Sequence, residues 1–241
     1  MIEFTKHVFE EALGRSLGTA LAWTLVPVGA ALSAFFWWGA RRIGMLRRMR
    51  RAQIKNFYAS RSEYRTARKQ KTASDYVQIT ERKFVYVGLY LAQGTDESRM
   101  DDALRLLLRR KCEVQIVLLD AGISDEMVQQ IEQTTAIAEG TLRGRLEHAL
   151  LHLRTFRENL SSDERERFFL KRHKKAISAT AFLIDWSEKK GRLLIDTKIP
   201  FVGRENAFGI EFEGVPAEGS LASAWTTSFE RIISTAVNDV S

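Results

Sequence analysis

The chain has 241 residues, enough for one globular unit and an appendage. At 45% hydrophobic and 28% charged it is too apolar for disorder, and a single cysteine, Cys112, excludes an intramolecular disulfide. The net charge of +7 is concentrated: residues 41–71 carry twelve basic residues against Glu63 alone. Residues 72–241 are therefore slightly acidic, which gives no support to a basic nucleic-acid groove across them.

In chain order, a near-neutral leader, residues 1–15, precedes "SLGTALAWTLVPVGAALSAFFWWGA", Ser16 to Ala40, which is 25 residues without a charge. That exceeds the roughly 20 residues that cross a hydrocarbon core. Trp23 near one end and Trp37 and Trp38 at the other sit where interfacial aromatics do. A cleaved signal peptide fits less well, because it needs a basic leader and a small-residue cleavage site. The reading is one transmembrane helix over 16–40. Arg41, Arg42, Arg47, Arg48, Arg50 and Arg51 follow it directly, so the positive-inside rule places the single-pass chain in the inner (plasma) membrane with its C-terminal part cytoplasmic. Residues 41–74 read as a basic juxtamembrane helix or linker, with Ile43, Leu46, Ile54 and Phe57 on an apolar side; the six arginines either meet anionic headgroups of the bilayer or serve only as a topology determinant and spacer, with RNA binding a third reading.

The pattern changes at about Asp75, where a cytoplasmic domain, 75–241, begins. "KFVYVGLYLA" reads as a buried strand, "DESRMDDALRLLLRR" as a helix and "CEVQIVLLD" as a second buried strand, a parallel βαβ unit. Helices follow over Asp125–Glu139 and Leu142–Asn159. Then come the strands "RFFLKRH", "SATAFLIDW", "GRLLIDTKI" and "FGIEFEG", and a last helix over Leu221–Val237. The fold class is α/β, a mixed sheet flanked by helices.

No glycine-rich phosphate loop and no nucleophile elbow is present. His148 and His152 have the spacing that shares a metal, but Ala149 stands where a metalloprotease helix needs Glu, and no metal or cofactor is expected. The loop Gln93–Ser98, with Gln93 and Thr95, lies at the carboxyl end of a strand and before a helix, where open α/β sheets take ligands. His173 and Lys175 are two apart on a strand and share a face.

The order of these elements, with "VGLYLA", "VQIVLLD", a strand pair ending in "LID" and "GIEFE", resembles one half of a phospholipase-D-like domain. In that family a His, one residue, a Lys, four residues and an Asp form the signature, followed by Gly-Ser and an Asn. The His attacks phosphorus and the Lys binds phosphate oxygens. If His173 and Lys175 are the pair, Thr180 stands where the Asp belongs. If Asp185 is the Asp, Ser178 and Thr180 replace the pair. Gly191-Arg192 replaces Gly-Ser, while Asn206 and Glu211 take plausible later positions. A hydroxyl without a base cannot do the work of the imidazole, and it lacks the charge of the lysine.

The resemblance therefore implies a membrane-anchored, non-catalytic sensor or effector. It would bind a small nucleotide or phosphorylated ligand, or a partner, through Ser178, Thr180, Asp185, Gln93, Thr95, Asn206 and Glu211. As a single half it would work as a homodimer. Membrane-anchored sensors of bacterial defence systems share this general layout. Two alternatives stand beside it: a membrane-tethered phosphodiesterase or nuclease using His173 and Lys175, and an oligomerising membrane scaffold.

Overall fold

The structure, a computed structural model, describes residues 41–59, 63, 73–91, 97–135, 137–197 and 208–239. The proposed membrane segment lies outside them, and among the described residues no helix is long and apolar enough to cross a membrane. The chain divides into two compact units, 1–50 and 51–241. In the first, residues 41–50 are helical, and Arg41, Arg42, Arg47, Arg48 and Arg50 occupy exposed positions on that helix.

The second unit is built on one eight-stranded sheet. Its elements in chain order are β1 (Ile54–Tyr58), α1 (Ala73–Val77), β2 (Lys83–Gly88), α2 (Glu97–Arg109), β3 (Glu113–Leu119), α3 (Asp125–Thr135), α4 (Leu142–Glu158), α5 (Ser162–Arg165), β4 (Phe168–His173), β5 (Ala179–Ile184), β6 (Arg192–Thr197), β7 (Gly209–Glu213), α6 (Leu221–Thr235) and β8 (Val237–Asn238). The strand order is β1-β7-β6-β5-β2-β3-β4-β8. β2, β3 and β4 are parallel, as the βαβ pattern predicts, and the other pairings are antiparallel. The expected mixed α/β architecture is present.

Both faces of the central strands are covered, which is why β2 and β3 read as unbroken apolar runs. On one face Phe84, Tyr86, Ile116, Leu118, Leu170 and Phe182 pack against Tyr76 of α1, Leu104 and Leu107 of α2, and Leu153 and Phe156 of α4. On the other, Val85, Val87, Val117, Leu183 and Ile195 meet Ala222, Trp225 and Phe229 of α6. Cys112 is fully buried, and burial pushes its thiol pKa up, so it serves as a small core residue.

Two sequence expectations are corrected here. Ile54 and Phe57 do not continue a basic helix: residues 54–58 form β1, antiparallel to β7 at the edge of the sheet, and the compact unit starts at Arg51 instead of about Asp75. Long-range side chains fix that strand. Gln53, itself at φ +59°, accepts from Ala217 N (2.7 Å) and Ser220 Oγ (2.8 Å) and donates to Val215 O (2.6 Å). Phe57 stacks on Phe208 with ring centroids 5.6 Å apart. The last helix also stops early, at Thr235, and Val237 passes into the two-residue strand β8 beside β4.

One helix is started by a neighbour. Thr141 at the N-terminus of α4 makes no side-chain cap. Instead Glu132 of α3, buried, accepts from Leu142 N (2.7 Å) and Gly140 N (2.9 Å), and those N–H groups hold its carboxyl below the usual range.

Candidate functional site

In an open α/β sheet the carboxyl ends of parallel strands are where ligands gather. Here that end is formed by Gly88, Leu119 and His173, the last residues of β2, β3 and β4. Because β5 runs antiparallel to β2, its first residues arrive at the same end, so Ser178 and Thr180 are brought there. Ser178 is exposed and Thr180 half-buried, and both lie on the face of the sheet that carries Phe182. Across the β5–β6 ladder Thr180 faces Asp196, which in turn faces Gly209. Neighbours in such a ladder hold their Cβ atoms about 5 Å apart. Asp196 thus joins the hydroxyls, and it was not singled out from sequence. Its only sequence signal is an acid ending the apolar run "LLI"; the β5–β6 register is what makes it meaningful.

The floor of this region is tightly built. A Cβ added at Gly88 would lie 2.4 Å from the Tyr86 hydroxyl oxygen, and that hydroxyl donates to Tyr90 O at 2.8 Å. Gly88→Ala is expected to cost about 1–3 kcal/mol by pushing the phenol aside. Paired with Tyr86→Leu it should cost less than the two single changes summed, measured by urea unfolding.

His173 is 2% exposed. Lys175 N donates to its Nδ1 at 3.3 Å, so the proton sits on Nε2, which faces Gly88 O at 3.4 Å. Both ring nitrogens are therefore engaged with backbone, and the imidazole fastens the β4–β5 connection to β2. Lys175 is exposed. The pair has the right residue types, and in this structure these two hydrogen bonds of the ring are to backbone atoms.

Of the remaining predicted site residues, the described ones, Asp185 and Glu211, lie away from Ser178 and Thr180. Asp185 follows β5 and so lies at the opposite end of the sheet, roughly 16 Å from Thr180 at about 3.3 Å per residue. Its carboxylate accepts from the backbone N–H groups of Glu81 (2.8 Å), Arg82 (2.9 Å) and Lys83 (2.7 Å). It is a clamp on the entry to β2 and stands apart from Ser178 and Thr180, with which it was expected at a ligand. Glu211, also expected at a ligand, is 0% exposed, with Asn56 Nδ2 at 2.6 Å and the Tyr58 and Tyr76 hydroxyls at 3.2 and 3.3 Å. Gln93, Thr95 and Asn206 lie outside the described residues. His152 meets Asp101 at 3.1 Å, and no group of three potential metal ligands occurs among the described residues.

A depression of about 430 Å³ opens beside Asp185 between β2 and the β5–β6 turn. Ile79 and Ile184 line it, with Arg82, Lys189, Lys190 and Arg192. Arg82 pairs with Glu188 at 2.7 Å, and Arg192 lies 3.7 Å from both Glu211 and Glu213, so part of its positive charge is already compensated.

The class defined by these features is an open, mixed α/β sheet with hydroxyls and an acid at the carboxyl ends of its parallel strands. No family model matches the chain, and no curated protein matches it. Among solved structures it is similar in layout to Nuc from Salmonella typhimurium, a phospholipase D family member, at 9% identity over 70% of this chain and 88% of that one, with a TM-score of 0.41. It is also similar to the phosphatidylserine synthase of Haemophilus influenzae Rd KW20, at 12% identity over 76% of this chain and 38% of the other, TM-score 0.46. A third neighbour is TrmBL2, an archaeal chromatin protein, at 8% identity over 90% and 66% of the two chains, TM-score 0.40. These similarities concern the arrangement of strands and helices and carry no chemistry to this chain.

Proposed function

We propose that the chain is a membrane-anchored recognition protein without hydrolytic activity. Residues 51–241 would bind a small phosphorylated or nucleotide ligand, or a partner, at the surface formed by Ser178, Thr180 and Asp196. The apolar stretch 16–40 would hold that unit at the cytoplasmic side of the inner (plasma) membrane, with the arginines of 41–51 at anionic headgroups, and the working form would be a homodimer. The observation that carries the reading is the opening of β5: hydroxyls stand at the carboxyl end of the sheet, while His173 has both ring nitrogens engaged with backbone. A phosphodiesterase needs a nucleophile and a base within reach of one phosphorus atom. Ser178 and Thr180 can hydrogen-bond phosphate or ribose oxygens without attacking them.

Three measurements test the proposal. With bis(p-nitrophenyl) phosphate the wild type is expected to show no turnover above that of His173→Ala; turnover that this substitution abolishes would establish the enzyme reading instead. The full chain is expected to stay in the membrane pellet after carbonate washing and to leave it when residues 16–40 are deleted. In detergent, a panel of nucleoside phosphates should contain one that raises the melting temperature, because a ligand at a hundredfold its Kd adds about 2.7 kcal/mol. Thr180→Val should remove that shift. A panel without any shift sinks the ligand reading.

A further inference from the structure

Apart from the site at the start of β5, three arginines converge on one acidic residue, two of them at its carboxylate and one at its main-chain oxygen. Arg154 and Arg157 lie one turn apart on α4, and Arg172 is next to last in β4. Their common target is Asp239, 3% exposed, in the segment that follows α6. Arg154 donates through Nε and Nη2 to its two oxygens at 2.6 and 2.8 Å, a bidentate pair that holds the Asp239 carboxyl below the usual range. Arg157 Nη1 donates to Asp239 O at 3.3 Å. Arg172 Nε lies 3.0 Å from Asp239 Oδ1, close enough for an ion pair but off line for a hydrogen bond.

Two donors of this cluster go unused. The Nε atoms of Arg157 and Arg172 are both buried without a hydrogen-bond partner among the described residues. An unused buried donor is costly, so it marks a place where an acceptor belongs. The charges are out of balance too. The ion pairs of Arg154 and Arg172 reach two carboxylates, Asp239 and, at 3.6 Å from Arg172, Asp120, against three guanidinium groups.

The receptor is rigid and its occupant lightly held. Arg154 and Arg157 flank Leu153 and Phe156, and Arg172 follows Leu170, all three apolar residues being part of the core. Asp239, by contrast, follows a strand of only two residues, with Val237 66% exposed and one further backbone bond from Asp239 N to Leu170 O at 2.9 Å. The short β8 pairing with β4 and these backbone bonds hold the segment together with the carboxylate, whose ion pairs supply its charged contacts.

We propose that Arg154, Arg157 and Arg172 form a binding site for the phosphate group of a soluble ligand, which the chain's own Asp239 occupies in this structure, and that residues 236–239 are a displaceable plug. A tetrahedral phosphate brings more acceptor oxygens than a carboxylate and can meet the two unused Nε–H donors. Displacing the plug also uncovers the outer edge of β4, so occupancy changes what the sheet presents at that edge.

The test uses the full-length chain in mild detergent and inorganic phosphate as the probe. Asp239→Ala is expected to melt several degrees below wild type in chloride, and to recover as phosphate rises at constant ionic strength. Its apparent affinity for phosphate should exceed that of wild type by about tenfold or more, since no plug competes. Adding Arg154→Ala to Asp239→Ala should abolish the recovery. Should Asp239→Ala fail to fold, Asp239→Asn keeps the shape while removing the charge, and the same comparison applies. The proposal is overturned if phosphate stabilises variant and wild type equally, if acetate at the same ionic strength recovers the variant as well as phosphate does, or if recovery survives loss of Arg154.

Discussion

Asp185→Ala is expected to destabilise the folded unit by about 2–4 kcal/mol, the order associated with losing several hydrogen bonds to one charged acceptor. The carboxylate collects three consecutive backbone N–H groups, of Glu81, Arg82 and Lys83, a hundred residues back along the chain. Its own N–H returns a bond to Lys83 O at 2.9 Å. The residue stands at φ +45°, a left-handed conformation that Asp and Asn tolerate better than other side chains. Alanine therefore loses the acceptor and inherits the backbone strain together. The surrounding turn has no room to relax: a Cβ at Gly191 would lie 2.3 Å from Asp185 O. Asp185→Asn keeps the backbone preference and one acceptor oxygen, so it should lose distinctly less. Urea unfolding gives the size of the effect, and amide exchange at residues 81–84 gives its place. A loss under about 0.5 kcal/mol in Asp185→Ala would refute the clamp. Impaired ligand binding at unchanged stability would restore Asp185 to the recognition surface.

That residue also shows where sequence reasoning stopped. "SATAFLID" reads as one constellation because eight letters seem close, but an extended strand puts its two ends on opposite edges of the sheet. Which end a group reaches depends on strand direction, and β5 runs against β2. The central elements were legible for the opposite reason. β2 and β3 are buried on both faces, so their apolar runs announce them without knowledge of partners, and the amphipathic α2 between them fixes a parallel pair. Asp196 was not legible, since it matters only through its register with Thr180. β1 was misread because a basic, sparsely apolar stretch imitates an exposed helix. What makes it a strand is the open edge of β7, more than 150 residues away in sequence. Such non-local pairing overrides local propensity.

The largest effect is expected at the group that secures this strand. Glu211→Ala should cost about 3–5 kcal/mol, because removing one member of a buried charged cluster leaves the others unpaired in the core. Glu211 is 0% exposed on β7, beside Leu194 of β6 and opposite Asn56 of β1. Asn56 donates to it from β1, the Tyr58 hydroxyl from the end of β1, and the Tyr76 hydroxyl from α1, while Arg192 on β6 lies 3.7 Å away. One carboxylate thus joins β1 and α1 to a strand more than 130 residues further along the chain. Alanine would take a shared acceptor away from two phenols and an amide, and would leave a void besides. Glu211→Gln retains an acceptor and most of the volume but gives up the charge facing Arg192, so it should fall between alanine and wild type. The decisive measurement is where protection is lost. Amide exchange should rise first at residues 54–58 and 73–77, with β2 and β3 unaffected until global unfolding. Uniform loss across the sheet would mean that Glu211 supports the core as a whole. Protection retained at 54–58 would mean that Gln53 and the Lys55–Glu213 pair hold β1 without it. Only selective release of β1 and α1 fits a carboxylate that fastens the first strand after the arginine-rich helix to the sheet.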